Sequence, residues 1–256
     1  MQSQFEELTD SQWEIIENIL DDQREREHSL RTMMNAILWV NRTGVQWREL
    51  DKTLYPCWQS VYYYFRKWTQ TGVWEHLNDT LVIKERKRQE REETPSMVIV
   101  DSQSVKTVAF VSEAIGIDGG KKVNGRKRHI AVDTLGLPWA VHVTAANVSD
   151  TAAGCELVDH LHGKVPRLEK IAADNGYRTT FTDHVEGKYE WEVEIKQKPE
   201  SAKGFVPEKN RWPVERSFGW LNFRRRLAKE YEKTVESAEA MLHIAFISFL
   251  LNRIST

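Results

Sequence analysis

Met97-Val98-Ile99-Val100-Asp101, the start of the string MVIVDSQSVK, decides how the rest of the chain is read. Four apolar residues, three of them β-branched, form a run of buried-strand type, and a carboxylate leaves its end. Working outward toward the C-terminus, His129 to Asp133 repeats that pattern. Leu135-Gly136-Leu137-Pro138 then reads as a turn and Trp139 to Thr144 as a third strand, so the second and third strands form a hairpin. Ala152 to Leu161 has helical spacing. Leu168 to Ala173 is a fourth strand, ending in Asp174, and Trp191 to Ile195 alternates as a fifth. Helices over Pro213 to Tyr231 and Ser237 to Ile254 complete a mixed α/β layer architecture.

Toward the N-terminus the period changes to that of a helix. Trp13, Ile16, Ile19 and Leu20 form one stripe behind a Thr9 or Asp10 cap. A second helix spans Ser29 to Asn41 and stops at Thr43-Gly44, and a third spans Cys57 to Thr71 and stops at Gly72. Between the two regions lies KERKRQEREE (84–93), a charge run with no core-forming residue, followed by Thr94-Pro95-Ser96. It reads as a solvated helix end or linker, and is taken as the connection between two domains. Residues 1–92 are therefore expected to form a small helical domain and residues 93–256 an α/β domain.

The 256 residues are 40% hydrophobic and 29% charged, which is ordinary globular composition. Two cysteines, Cys57 and Cys155, make neither a disulfide framework nor a CxxC zinc pair, so an intracellular, cytoplasmic setting is expected. Met1 to Leu20 has no apolar signal core, and Met241 to Leu251 is about half of the roughly 20 residues a bilayer-spanning helix needs, so no membrane residence is expected. The net charge of −2 does not announce a nucleic-acid protein, so any DNA contact must come from local clusters. The histidines show no HExxH spacing. No P-loop and no nucleophile elbow is present, so neither nucleotide use nor serine hydrolysis is expected.

Three carboxylates stand out: Asp101 and Asp174 at strand ends, and Glu215 on the first turn of a helix. Functional groups gather where the strands of an open α/β sheet end. Converging carboxylates need a cation between them, and oxygen donors without His or Cys favour Mg²⁺ or Mn²⁺, the ions of phosphodiester chemistry. Spacing alone leaves bland alternatives open. Any strand can end in Asp, and Glu215 could pair with Arg211 or Arg216 on its own helix.

The strings VDSQSVKT (100–107), GKKVNGRKRHIAVDTLGLP (120–138), HVTAANVSD (142–150), ADNGYR (173–178) and VERSFGWLNFRRRLAKEYE (214–232) resemble those of bacterial insertion-sequence transposases, the IS5 family of the DDE superfamily. LTDSQWEIIENIL (8–20), NAILWVNRTGVQWRELD (35–51) and YPCWQSVYYYFRKWTQTGVWE (55–75) resemble the helical front part of the same family, so the likeness spans essentially the whole chain. The resemblance implies a ribonuclease H-like mixed sheet flanked by helices, with an N-terminal helix-turn-helix-like domain. It also implies an acidic triad of Asp101, Asp174 and Glu215 holding two Mg²⁺ or Mn²⁺ ions. The partners implied are double-stranded DNA, as terminal inverted repeats and target, and a second copy of the chain on that DNA. The activity implied is cutting of element ends and joining of their 3′-hydroxyls to target DNA. Around the glutamate the superfamily carries a Tyr, Arg, Glu, Lys signature. Here Arg211 and Glu215 match, whereas Glu208 and Asn222 occupy the tyrosine and lysine slots.

Candidate DNA-backbone contacts are the cluster Lys121, Lys122, Arg126, Lys127 and Arg128, together with Arg211, Arg216, Arg224, Arg225 and Arg226. In the third helix Gln59, Arg66 and Lys67 are candidate recognition residues, and Trp58, Tyr62, Phe65 and Trp68 read as core. Asp133 reads as structural and Asp150 as a helix cap. A rival reading is a non-catalytic DNA-binding protein that represses element ends. Three retained carboxylates speak against it.

Overall fold

The structure is a computed structural model that describes residues 7–20, 27–195 and 212–255. The front region is four helices: α1 (Asp10–Leu20), α2 (Leu30–Thr43), α3 (Trp58–Gln70) and α4 (Val73–Arg88). Their ends follow from local chemistry. Thr9 and Gln12 exchange side-chain hydrogen bonds with each other's backbone N–H and so start α1. Ser29 accepts the N–H of Thr32 to start α2. Gly44 stops that helix in the left-handed conformation, φ +71°, with its N–H on the Val40 carbonyl.

Most of the charge run at 84–93 is exposed, but two of its residues are buried. Its first half is the last turn and a half of α4, where Glu85 is fully buried and Arg86 nearly so. Glu85 accepts hydrogen bonds from Arg88 Nε (2.8 Å) and pairs with Arg253 Nη2 (3.0 Å), and Arg86 is ion-paired with Asp133. Buried charges persist here because each is paired.

The remainder comprises β1 (Met97–Lys106), β2 (Gly116–Asp118), β3 (Val123–Asp133), β4 (Pro138–Ala145), α5 (Asp150–Asp159), β5 (Lys170–Ala173), α6 (Thr180–Tyr189), β6 (Glu192–Ile195), α7 (Trp212–Leu221) and α8 (Val235–Ile254). The sheet runs β2-β3-β1-β5-β6, with β4 also paired to β3. β1, β3 and β4 are antiparallel neighbours, and β5 and β6 add in parallel beyond β1. This is the ribonuclease H-like arrangement expected of the chain. The β3–β4 hairpin closes at Gly136, φ +72°, where any side chain would also meet Ser217 Oγ at 2.9 Å.

α8 is long and apolar enough to cross a membrane by length and composition alone, but 67% of it is buried inside the protein. Met241, Ile244, Phe246, Ile247 and Leu250 are fully enclosed there, which is why the helix is apolar on every side. α4 packs along α8, so Met34, Ile37 and Phe65 of the front helices share one hydrophobic core with Ile130, Ile171 and Phe246.

Candidate active site

Val100 of β1 and Ala173 of β5 are register partners in parallel strands. Asp174 follows at the end of β5 as expected, whereas Asp101 is not at a strand end, because β1 runs on to Lys106; the parallel register still sets the two aspartates side by side. Each is held by a backbone amide close by: Ser102 N donates to Asp101 Oδ1 (2.7 Å), and Gly176 N donates to Asp174 Oδ1 (2.8 Å). Tyr177 is buried beneath them with its ring against Gly154 and Phe181. Burial pushes its phenol well above the ordinary range, and the charges of Asp101, Asp150 and Asp174 push it further.

Asp150 was missed as a site residue because its position, just before a helix, reads as a cap. The cap is Ser149, whose hydroxyl accepts the N–H of Ala152. Asp150, on the first turn of α5, instead accepts a hydrogen bond from Ser102 Oγ (2.7 Å) and pairs with Lys127 Nζ (3.1 Å). The signal available in the sequence was Ser149 itself, a good cap one residue earlier.

Glu215 is exposed on the first turn of α7, which packs on β1 and β3. Ser217 Oγ donates to the Gly136 carbonyl (2.7 Å), and Arg216 donates to the Leu135 carbonyl (2.5 Å), which docks the helix on the β3–β4 turn. Among the described residues no three His, Cys, Asp or Glu side chains stand as a set that could hold a metal ion. The donors fit a hard divalent cation in kind, being carboxylate oxygens gathered around a shared negative potential.

Residues 92–251 match the family described as "Transposase DDE domain". The chain belongs to that transposase family. Residues 8–78 match a second model, described as "Putative transposase of IS4/5 family". Among curated relatives, a "Putative transposase for insertion sequence element IS402" of Burkholderia cepacia is 32% identical over 130 residues, which is 47% of this chain and 60% of the relative. An "Insertion element IS402 uncharacterized 16.2 kDa protein" of the same organism is 29% identical over 114 residues, 40% of this chain and 74% of the relative. The chain thus spans less than two thirds of the first relative's length.

The basic residues of this transposase-family chain divide by burial. Lys121 and Lys122 are exposed at the turn into β3. Arg126, Lys127 and Arg128, expected as contacts to the DNA backbone, are buried within β3. Arg126 donates to the carbonyls of Glu113, Glu232 and Lys233, and Arg128 to the Leu227 carbonyl and to Glu230. These two arginines tie β3 to the segment between α7 and α8, with their side chains enclosed.

Arg226 is likewise buried against Glu232 (2.7 Å). Arg224 is half-buried on Ser248 Oγ (2.7 Å), and burial, then the charge of Arg42, pushes its pKa down to about 10. Arg216 is sandwiched between the rings of Trp212 (4.1 Å) and Trp220 (5.1 Å). Arg225 is exposed, and Arg211 lies outside the described residues. On α3, Gln59 is exposed. Arg66 reaches toward Ser237 (3.4 Å), and Lys67 lies over the Tyr64 ring (5.9 Å). Phe65 and Trp68 are core, as read, and Trp58 is half-buried against it, whereas Tyr62 is exposed. Asp133 is structural, bound to Arg86 and to the amides of Leu135 and Leu137.

Proposed function

We propose that this chain is a DNA transposase that cuts the ends of its own insertion element and joins the freed 3′-hydroxyls to target DNA. The observation that carries the reading is the register of Val100 and Ala173, which sets Asp101 and Asp174 side by side in a chain of the DDE family. Asp101, Asp174 and Glu215 form the triad. A pair of Mg²⁺ or Mn²⁺ ions held there supplies positive charge for both the incoming and the departing oxygen of an in-line displacement.

The chain's own residues do the rest. The amides of Ser102 and Gly176 fix the two aspartates, so little reorganisation is left for the reaction. Water attacks in the cutting step and the 3′-hydroxyl in the joining step, so no side-chain nucleophile is needed. Lys121, Lys122 and Arg225 offer exposed charge for the phosphate backbone, and Gln59 on α3 offers an exposed amide to base edges. Residues 1–92 would bind the element end and residues 93–256 carry the chemistry, on two copies of the chain that bring two ends together in the cytoplasm. The test is Asp101→Asn in an element-end cleavage assay with Mg²⁺. Cleavage is expected to disappear while DNA binding stays, and undiminished cleavage would overturn the reading.

A further inference from the structure

We propose that Asp150 is a positioning residue of the candidate active site, clamped by Lys127 and acting on Asp101 through Ser102 and on Asp174 across Gly176. The inference rests on the metal-dependent reading above but assigns a role to a carboxylate outside the triad. Four observations carry it. Lys127 is buried, and its ammonium is held at both ends of one short span, by the Val148 carbonyl (2.8 Å) and by Asp150 Oδ1 (3.1 Å). The same Asp150 oxygen accepts the hydroxyl of Ser102 (2.7 Å), whose backbone N–H holds Asp101 Oδ1 (2.7 Å). Lys127, Asp150, Ser102 and Asp101 are thus one hydrogen-bonded series that starts inside the sheet and ends on a triad carboxylate.

The other Asp150 oxygen points to the opposite side. A side chain built on Gly176 would meet Asp174 Oδ1 at 3.0 Å and Asp150 Oδ2 at 3.6 Å, so the two carboxylates share the space that glycine leaves open. Beneath them Tyr177 is buried beside the Ser102 side chain and the charges of Asp101, Asp150 and Asp174. Groups that orient metal-binding side chains without touching the metal change metal affinity or activity by about 10- to 100-fold when replaced. A cap or a surface acid would not.

The experiment measures Mn²⁺ binding to the full-length chain by calorimetry, alongside cleavage of element-end DNA and thermal melting, for the wild type, D150N, S102A and S149A. Asp150→Asn and Ser102→Ala are expected to weaken Mn²⁺ binding about tenfold or more. Ser149→Ala, which removes the true cap of the same helix, should leave it within twofold. Mn²⁺ affinity in D150N equal to that of the wild type, an equal loss in S149A, or no Mn²⁺ binding by the wild type would overturn the assignment. A wild type that binds Mn²⁺, loses it in D150N and S102A, yet cuts no element-end DNA would sustain the role of Asp150 and defeat the transposase reading instead.

Discussion

Arg86, in the last turn of α4, is buried against Asp133, the last residue of β3. The pair pins the front helices to the sheet that carries the site. Both partners are saturated: Arg86 Nε also donates to the Glu92 carbonyl (2.8 Å), and Asp133 Oδ1 accepts the amides of Leu135 (2.8 Å) and Leu137 (3.0 Å). Removing one partner leaves the other's charge buried and uncompensated. Arg86→Met should therefore lower the free energy of unfolding by about 3–5 kcal/mol in urea titrations. A loss below about 1 kcal/mol would show that the pair behaves like a surface ion pair.

Gly176 separates stability from activity. Its backbone is exposed, so a methyl group there costs the fold little, yet that methyl would stand 3.0 Å from Asp174 Oδ1. Gly176→Ala should leave stability within about 0.5 kcal/mol. Displacing the carboxylate should slow element-end cleavage about 10- to 100-fold. Normal cleavage in that variant would mean that Asp174 can move aside without consequence.

The two aspartates were legible because a short apolar run followed by Asp is a local pattern, although β1 continues past Asp101 to Lys106, and register then sets them together. The helical front region and the β3–β4 hairpin were legible for the same reason, through period and turn residues. Arg126 and Arg128 were not, because a basic strand does not show its acceptors, and apart from the Glu113 carbonyl these lie about a hundred residues away in the 227–234 segment. Glu85 and Arg86 escaped in the same way, their partners being Arg253 and Asp133. Asp150 was hidden by its neighbour's chemistry, since Ser149 and Asp150 are both good caps and only coordinates show which one is used. Glu215 stood out on the first turn of its helix, but only the resemblance joins it to the two aspartates.

His243 makes stability depend on acid. Burial, helped by the charge of Lys164, pushes its pKa down to about 4, with Glu75 opposing and His160 adding to the depression. The folded protein therefore holds this ring neutral where the unfolded chain, with an ordinary pKa near 6.5, takes up a proton. Stability from this group is complete above the unfolded value and is lost as pH falls from there toward the folded one. Its share is about 2 kcal/mol between pH 7 and pH 5. His243→Gln should flatten the pH dependence of the urea midpoint over that window, even if its stability at pH 7 is lower. A variant with the wild-type slope would place the acid sensitivity elsewhere.

Basic residues at the turn into β3 and within it should respond differently to replacement. Lys121 and Lys122 are exposed, so their ammonium groups can displace counterions from DNA at no cost to the fold. Replacing both by alanine should weaken binding to element-end DNA and reduce the slope of log K against log salt by up to about 2, with melting unchanged. Arg126, fully buried on the carbonyls of Glu113, Glu232 and Lys233, has no such role. Arg126→Met strands those acceptors and should lower the melting temperature, yet the fraction that remains folded should bind with the wild-type salt slope. Binding titrations at several salt concentrations distinguish the two sites. If the double lysine variant kept the full slope, the turn into β3 would lie off the DNA path.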